Sequence, residues 1–146
     1  MTRALRVLVV EDEALLAMEM ERLLADCGWT VIGVALDHSG ALRLVQDSTP
    51  DLALVDMNLR DGRTGPATTA ALSGRGVPCL FVTGDPEQIP ADFAGALGVV
   101  TKPFTTNALI RAVEYLRVWI ETGGRQATPP YGLTLAPEAA LPARRH

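Results

Sequence analysis

Short aliphatic runs that alternate with stretches of helical spacing constrain this chain more than any other feature. Leu5–Val10 is a continuous apolar run, the pattern of a strand covered on both faces. From Glu13 to Cys27, Leu16, Met20, Leu23 and Cys27 recur at helical spacing, and Gly28 stops the helix. Thr30–Leu36 reads as a second strand, and a helix starting at Ser39 carries Leu42 and Val45 until Pro50 breaks it. Leu52–Val55 is a third, very apolar strand, Gly65 to Arg75 a short helix, and Pro78–Val82 strand four. Leu97–Val100 is strand five, and Thr106–Glu121 is a last helix burying Leu109, Val113, Leu116 and Ile120. Between strands four and five, Pro86, Pro90 and Gly95 leave room for only a distorted turn or two of helix. The handedness of β-α-β crossovers folds this (βα)5 alternation into an α/β domain, a five-stranded parallel sheet with helices on both faces.

Composition sets outer limits. With 146 residues, 48% hydrophobic and 21% charged, one ordinary domain with a real core is expected over residues 1–121. The body has net charge -6, and residues 122–146 carry +2 with four prolines, three glycines and a Gly123-Gly124 break. That segment is expected to be a flexible Pro/Gly/Ala-rich tail, although Tyr131, Leu133 and Leu135 alternate as a docked strand would. A net charge of -4 without a Lys/Arg run argues against nucleic-acid binding. No apolar run approaches the roughly 20 residues of a bilayer-spanning helix, and no signal peptide is evident. Cys27 and Cys79 lack metal or redox spacing and read as two thiols in a reducing cytoplasm. Twelve of the 13 basic residues are arginine; the single lysine is Lys102.

In parallel sheets of this kind, sites form at the carboxyl ends of the strands. Strand one ends in Glu11-Asp12-Glu13, strand three in Asp56, strand four in Thr83 and strand five in Thr101-Lys102. Crowded carboxylates repel, so one is protonated or a cation intervenes. Hard oxygen ligands favour Mg²⁺, which also takes phosphoryl oxygens. A metal, a carboxylate nucleophile, a hydroxyl and a lysine together suit phosphoryl transfer.

At these residues the sequence resembles the receiver domain of two-component response regulators. The matching stretches are Val9-Val10-Glu11-Asp12-Glu13, Leu54-Val55-Asp56-Met57-Asn58-Leu59, Phe81-Val82-Thr83-Gly84 and Thr101-Lys102-Pro103-Phe104. The resemblance covers about residues 4–121 and implies the flavodoxin-like strand order 2-1-3-4-5. It further implies that Asp56 takes a phosphoryl group from a phosphohistidine. Asp12, Asp56 and the backbone carbonyl of Asn58 would hold Mg²⁺ (or Mn²⁺), with Glu11 acting through a bound water. Lys102 and Thr83 would contact phosphoryl oxygens, and Pro103 would follow a cis peptide that aims the lysine inward.

Two positions depart from that family. Val99 stands where receivers commonly carry an aromatic switch residue, and proline interrupts the segment after strand four. The Phe81-Val82-Thr83-Gly84 stretch also resembles the FATGUY-type single-domain regulators of alphaproteobacteria. Those work in general stress or light-linked phosphorelays beside HWE-class histidine kinases.

The expected function is therefore a stand-alone cytoplasmic receiver, monomer or weak dimer. It catalyses only its own phosphorylation and dephosphorylation, with a histidine kinase or phosphotransfer protein as donor. Output is by protein contact or by draining phosphate from the kinase. The alternatives are a phosphorylation-independent adaptor and, against Asn58 where a second acid is wanted, an Asp-nucleophile phosphatase. Tyr115, Trp119 and Ile110 on the last helix suggest an apolar strip outside the core face, for a partner or for intramolecular cover. His38 is expected in a loop, Trp29 at a packed edge and His146 at a free end.

Overall fold

The computed structural model describes residues 3–125 and 128–141; Pro142 and His146 lie outside the described residues. The strands are β1 (Arg6–Val10), β2 (Thr30–Ala35), β3 (Leu52–Val55), β4 (Cys79–Thr83), β5 (Gly98–Thr101) and β6 (Leu133–Leu135). The helices are α1 (Ala14–Asp26), α2 (His38–Leu44), α3 (Gly65–Gly74) and α4 (Thr106–Thr122). The sheet order is β2-β1-β3-β4-β5-β6. β1 to β5 run parallel in the expected 2-1-3-4-5 order, and β6 is antiparallel to β5.

Period-two alternation sends successive strand residues to opposite cores. Val7, Val9, Leu52, Leu54, Leu80 and Val82 meet Met20, Leu23 and Leu24 of α1 and Leu109, Val113 and Leu116 of α4. Leu8, Val10, Ala53, Val55, Cys79 and Phe81 meet Ala41 of α2 and Leu72 of α3. Because both faces are covered, the central strands read as continuous apolar runs rather than as alternation.

The segment between β4 and β5 contains two short 3-10 turns, Pro86–Gln88 and Phe93–Gly95, as its prolines and glycine require. Three expectations need correction. The sheet has six strands, because Leu133–Leu135 leaves the expected tail and pairs with β5. Tyr115 and Trp119 do not form an outer strip. Both are 9% exposed, stack edge to face at 6.4 Å and belong to the α1/α4 core, because α4 turns that side toward the sheet. His38 is the first residue of α2 rather than a loop residue, and its Nδ1 lies 2.8 Å from Thr68 Oγ1 on α3.

Helix ends follow local chemistry. Asp37 and Thr105 accept from the Gly40 and Ala108 amides, and Gly123 ends α4 with φ 81°, a left-handed conformation that glycine adopts without strain. The edge of the body is tied by Asp51, whose carboxylate takes two hydrogen bonds from the Arg3 guanidinium and one from the Arg6 amide. Burial would push the Asp51 carboxyl up, but Arg3 and the Arg6 amide outweigh it and hold it below the ordinary aspartate value. Among the described residues, no helix is long and apolar enough to cross a membrane.

Candidate functional site

The carboxyl ends of β1, β3, β4 and β5 form one rim, because parallel pairing in register brings the four strand ends together. Val10 pairs with Val55, Val55 with Phe81 and Thr83 with Thr101. The next residues along are Glu11, Asp56 and Lys102. One oxygen each of Glu11, Asp12 and Asp56 lie within 4.8 Å of one another. Glu11 and Asp56 are buried, at 2% and 9% exposure, and Asp12 faces solvent.

Lys102 reaches into this cluster from the far side. Its Nζ donates to Glu11 Oε1 and to Asp56 Oδ2, each at 2.8 Å. The Lys102–Pro103 peptide is cis, as the resemblance implied. The other carboxylate oxygens are also held. Glu11 Oε2 accepts from the Glu13 amide at 3.0 Å, and Asp56 Oδ1 accepts from the Met57 amide at 2.7 Å. The crowding recognised in the sequence is thus relieved by the chain's own ammonium. Burial pushes the Glu11 carboxyl above the ordinary glutamate value, against the opposing pull of Lys102 and the Glu13 amide. Burial also pulls the Lys102 ammonium down, but hydrogen bonds and charge from Asp56 and Glu11 outweigh it and leave it raised.

Thr83 is fully buried, and its Oγ1 accepts a hydrogen bond from the Asp85 amide at 3.0 Å. Across the mouth, Asn58 Nδ2 donates to Asp85 Oδ2 at 2.8 Å. Sequence reasoning had not placed Asp85 at the site; the signal was its position two residues after the strand-ending threonine. It also missed Gly65. A Cβ there would stand 2.1 Å from the Asp56 carbonyl oxygen and 2.6 Å from Met57 Cα. Only glycine lets the start of α3 pack against the backbone that carries Asp56.

Three carboxylates and one ammonium leave the cluster with two negative charges. A hard divalent cation fits such an oxygen set in both charge and ligand type. Glu11, Asp12 and Asp56 are the residues that could hold one.

Residues 7–114 match the family model described as the response regulator receiver domain. The chain belongs to the response regulator receiver family. Phyllosphere-induced regulator PhyR of Methylorubrum extorquens is 36% identical over 104 residues, which is 69% of this chain and 39% of PhyR. Transcriptional regulatory protein PdtaR of Mycobacterium tuberculosis is 34% identical over 114 residues, 75% of this chain and 55% of PdtaR. This receiver therefore spans only about two fifths to half of those two relatives. The solution structure of SdrG from Sphingomonas melonis Fr1 superposes with a TM-score of 0.67 at 34% identity, covering 78% of this chain and 97% of SdrG.

Proposed function

We propose that this receiver takes a phosphoryl group onto Asp56 from a phosphohistidine of a sensor kinase or phosphotransfer protein. It then passes the signal on by protein contact or drains phosphate from the donor. The observation that carries this reading is the Asp56–Lys102–Glu11 cluster: a carboxylate at a strand end, charge-paired to the chain's only lysine. In the transfer, an Asp56 carboxylate oxygen forms the new O–P bond while the donor's N–P bond breaks, and the imidazole leaves with the bonding pair.

Each residue has a part in that step. Asp56 is the nucleophile and is oriented by the Met57 amide. Lys102 leaves its carboxylate partners to pair with a phosphoryl oxygen, a task for a compact point charge on a flexible stem. Thr83 exchanges the Asp85 amide for a phosphoryl oxygen, to which its hydroxyl donates. Glu11, Asp12, Asp56 and the Asn58 backbone carbonyl would hold a Mg²⁺ or Mn²⁺ ion, Glu11 through a water. When bound, such an ion would supply positive charge against the incoming phosphoryl oxygens.

The receiver is further read as a stand-alone cytoplasmic regulator of the FATGUY type, fed by an HWE-class kinase in a stress phosphorelay. What supports the stand-alone reading is that the match covers 97% of SdrG, and what supports the stress reading is the likeness to the structure of the PhyR stress response regulator, at 34% identity and a TM-score of 0.58. Its own chemistry is limited to gaining and losing the phosphoryl group.

Intact-mass measurement tests the central step. With Mg²⁺ and a phosphoramidate donor, the wild type is expected to gain one phosphoryl mass and Asp56→Asn none. Equal uptake by both proteins would remove Asp56 as the acceptor.

A further inference from the structure

Without β6, the outer edge of β5 would present unpaired backbone N–H and C=O groups. β6 covers it in the opposite direction, pairing Gly98 with Leu135, Val99 with Thr134 and Val100 with Leu133. The body is shaped for this neighbour. A Cβ at Gly98 would lie 2.6 Å from the Thr134 carbonyl oxygen and 3.3 Å from both Leu133 Cδ1 and Leu135 Cα. β5 therefore begins with the one residue type that lets a second backbone come so close. Leu133 enters the α1/α4 core, Ala136 is fully buried, and the Ala136 amide donates to the Leu97 carbonyl at 2.9 Å.

The hold on this occupant is slight. β6 is only 3 residues long, and Pro130 and Pro137 on either side supply no N–H to lengthen the ladder. Tyr131 is 88% exposed. The ion pair from Arg125 to Glu138 spans 3.6 Å, with the Glu138 side chain 80% exposed. A slot built into the body, filled by a short and weakly tied segment, is the arrangement of a strand-addition site closed by its own chain.

We propose that the β5 edge is a strand-addition site for an extended Leu-x-Leu-Ala segment of a partner protein, with residues 133–136 as its intramolecular competitor. The partner's chemistry follows from the present occupant: an antiparallel strand, leucine at alternate positions, and a small residue where Ala136 packs. The tethered segment competes at an effective concentration on the order of millimolar, so it weakens any partner until it leaves. The slot also opens toward the phosphorylation rim. A cavity of about 720 Å³ is bounded by Lys102, Pro103 and Thr105 on one side and by Tyr131, Gly132 and Thr134 on the other. A strand bound there lies against the turn that carries Lys102.

The test uses the full chain and a fluorescent peptide matching residues 131–138, read by anisotropy. Leu133→Asp with Leu135→Asp empties the slot and is expected to tighten peptide binding about tenfold or more over wild type. Adding Gly98→Val to that variant is expected to abolish binding, because the new side chain fills the space of the incoming backbone. Equal binding by wild type and the emptied variant, binding by neither, or binding that survives Gly98→Val would overturn the proposal. A second measurement does not depend on those variants folding. In isotopically labelled wild type, excess unlabelled peptide is expected to speed hydrogen exchange at the 133–136 amides about tenfold while the β1 and β3 amides stay protected. Unchanged exchange overturns the idea. A concentration-dependent dimer in sedimentation that Gly98→Val removes would assign the slot to a second copy and also overturn the partner reading.

Discussion

Replacing Lys102 with methionine removes the ammonium from between two carboxylates while keeping the length of the side chain. The Lys102, Glu11 and Asp56 side chains are 19%, 2% and 11% exposed, and both contacts are 2.8 Å. A fully exposed pair would be worth at most about 1 kcal/mol. Removing one partner of a buried pair instead costs about 3–5 kcal/mol, because a charge is left uncompensated. Lys102 retains some solvent contact, which places the expected loss near the lower end, about 3 kcal/mol. The loss carries a pH signature. Glu11 already titrates above its ordinary value because of burial, and losing the lysine raises it further. A carboxyl group raised in the folded state favours folding at low pH and opposes it as pH rises above its unfolded value. The deficit of Lys102→Met should therefore be small at about pH 4 and full near about pH 7. Urea denaturation of both proteins in chelator, repeated with millimolar Mg²⁺, measures it; the divalent ion should recover part of the loss by supplying the missing charge. A deficit below about 1 kcal/mol at neutral pH, or one independent of pH, would refute the reasoning.

Gly65→Ala should destabilise by about 1–3 kcal/mol through overpacking against the Asp56 and Met57 backbone. Gly74→Ala, at the other end of the same helix where an added Cβ would meet nothing within 4 Å, should stabilise by about 0.5 kcal/mol; urea midpoints compare the two. Asp51 titrates below its ordinary value, so its link to Arg3 and Arg6 stabilises above the unfolded aspartate pKa and is lost as pH falls through the folded one. Asp51→Asn should accordingly differ from wild type at about pH 7 and converge with it below about pH 3, followed by thermal unfolding. Lys102→Arg keeps the charge but not the compact ammonium, and phosphate uptake measured by intact mass is expected to slow about tenfold or more.

The five parallel strands were legible because their signals are local. Leu5–Val10 and Leu52–Val55 are aliphatic runs that only a doubly covered strand explains, and Pro86, Pro90 and Gly95 forbid a regular helix wherever the segment lies. The acids and hydroxyl ending β1, β3 and β4 were legible for the same reason. β6 was less so. A three-residue stretch between prolines has no stability of its own and becomes a strand only when the β5 edge and the Gly98 gap are present. Tyr115 and Trp119 were misplaced because helical periodicity defines faces without saying how wide a stripe the neighbouring elements cover.

The sequence by itself determined which segments become strands and which polar residue stands at the end of each, since both depend on neighbours a few positions away. Tertiary structure alone decided which charges meet. Lys102 pairs with Glu11 and Asp56 across separations of 91 and 46 residues, and Asn58 finds Asp85 across 27. Nothing local encodes those distances; they follow from parallel strands held in register, which carry the ends of four distant segments to one rim.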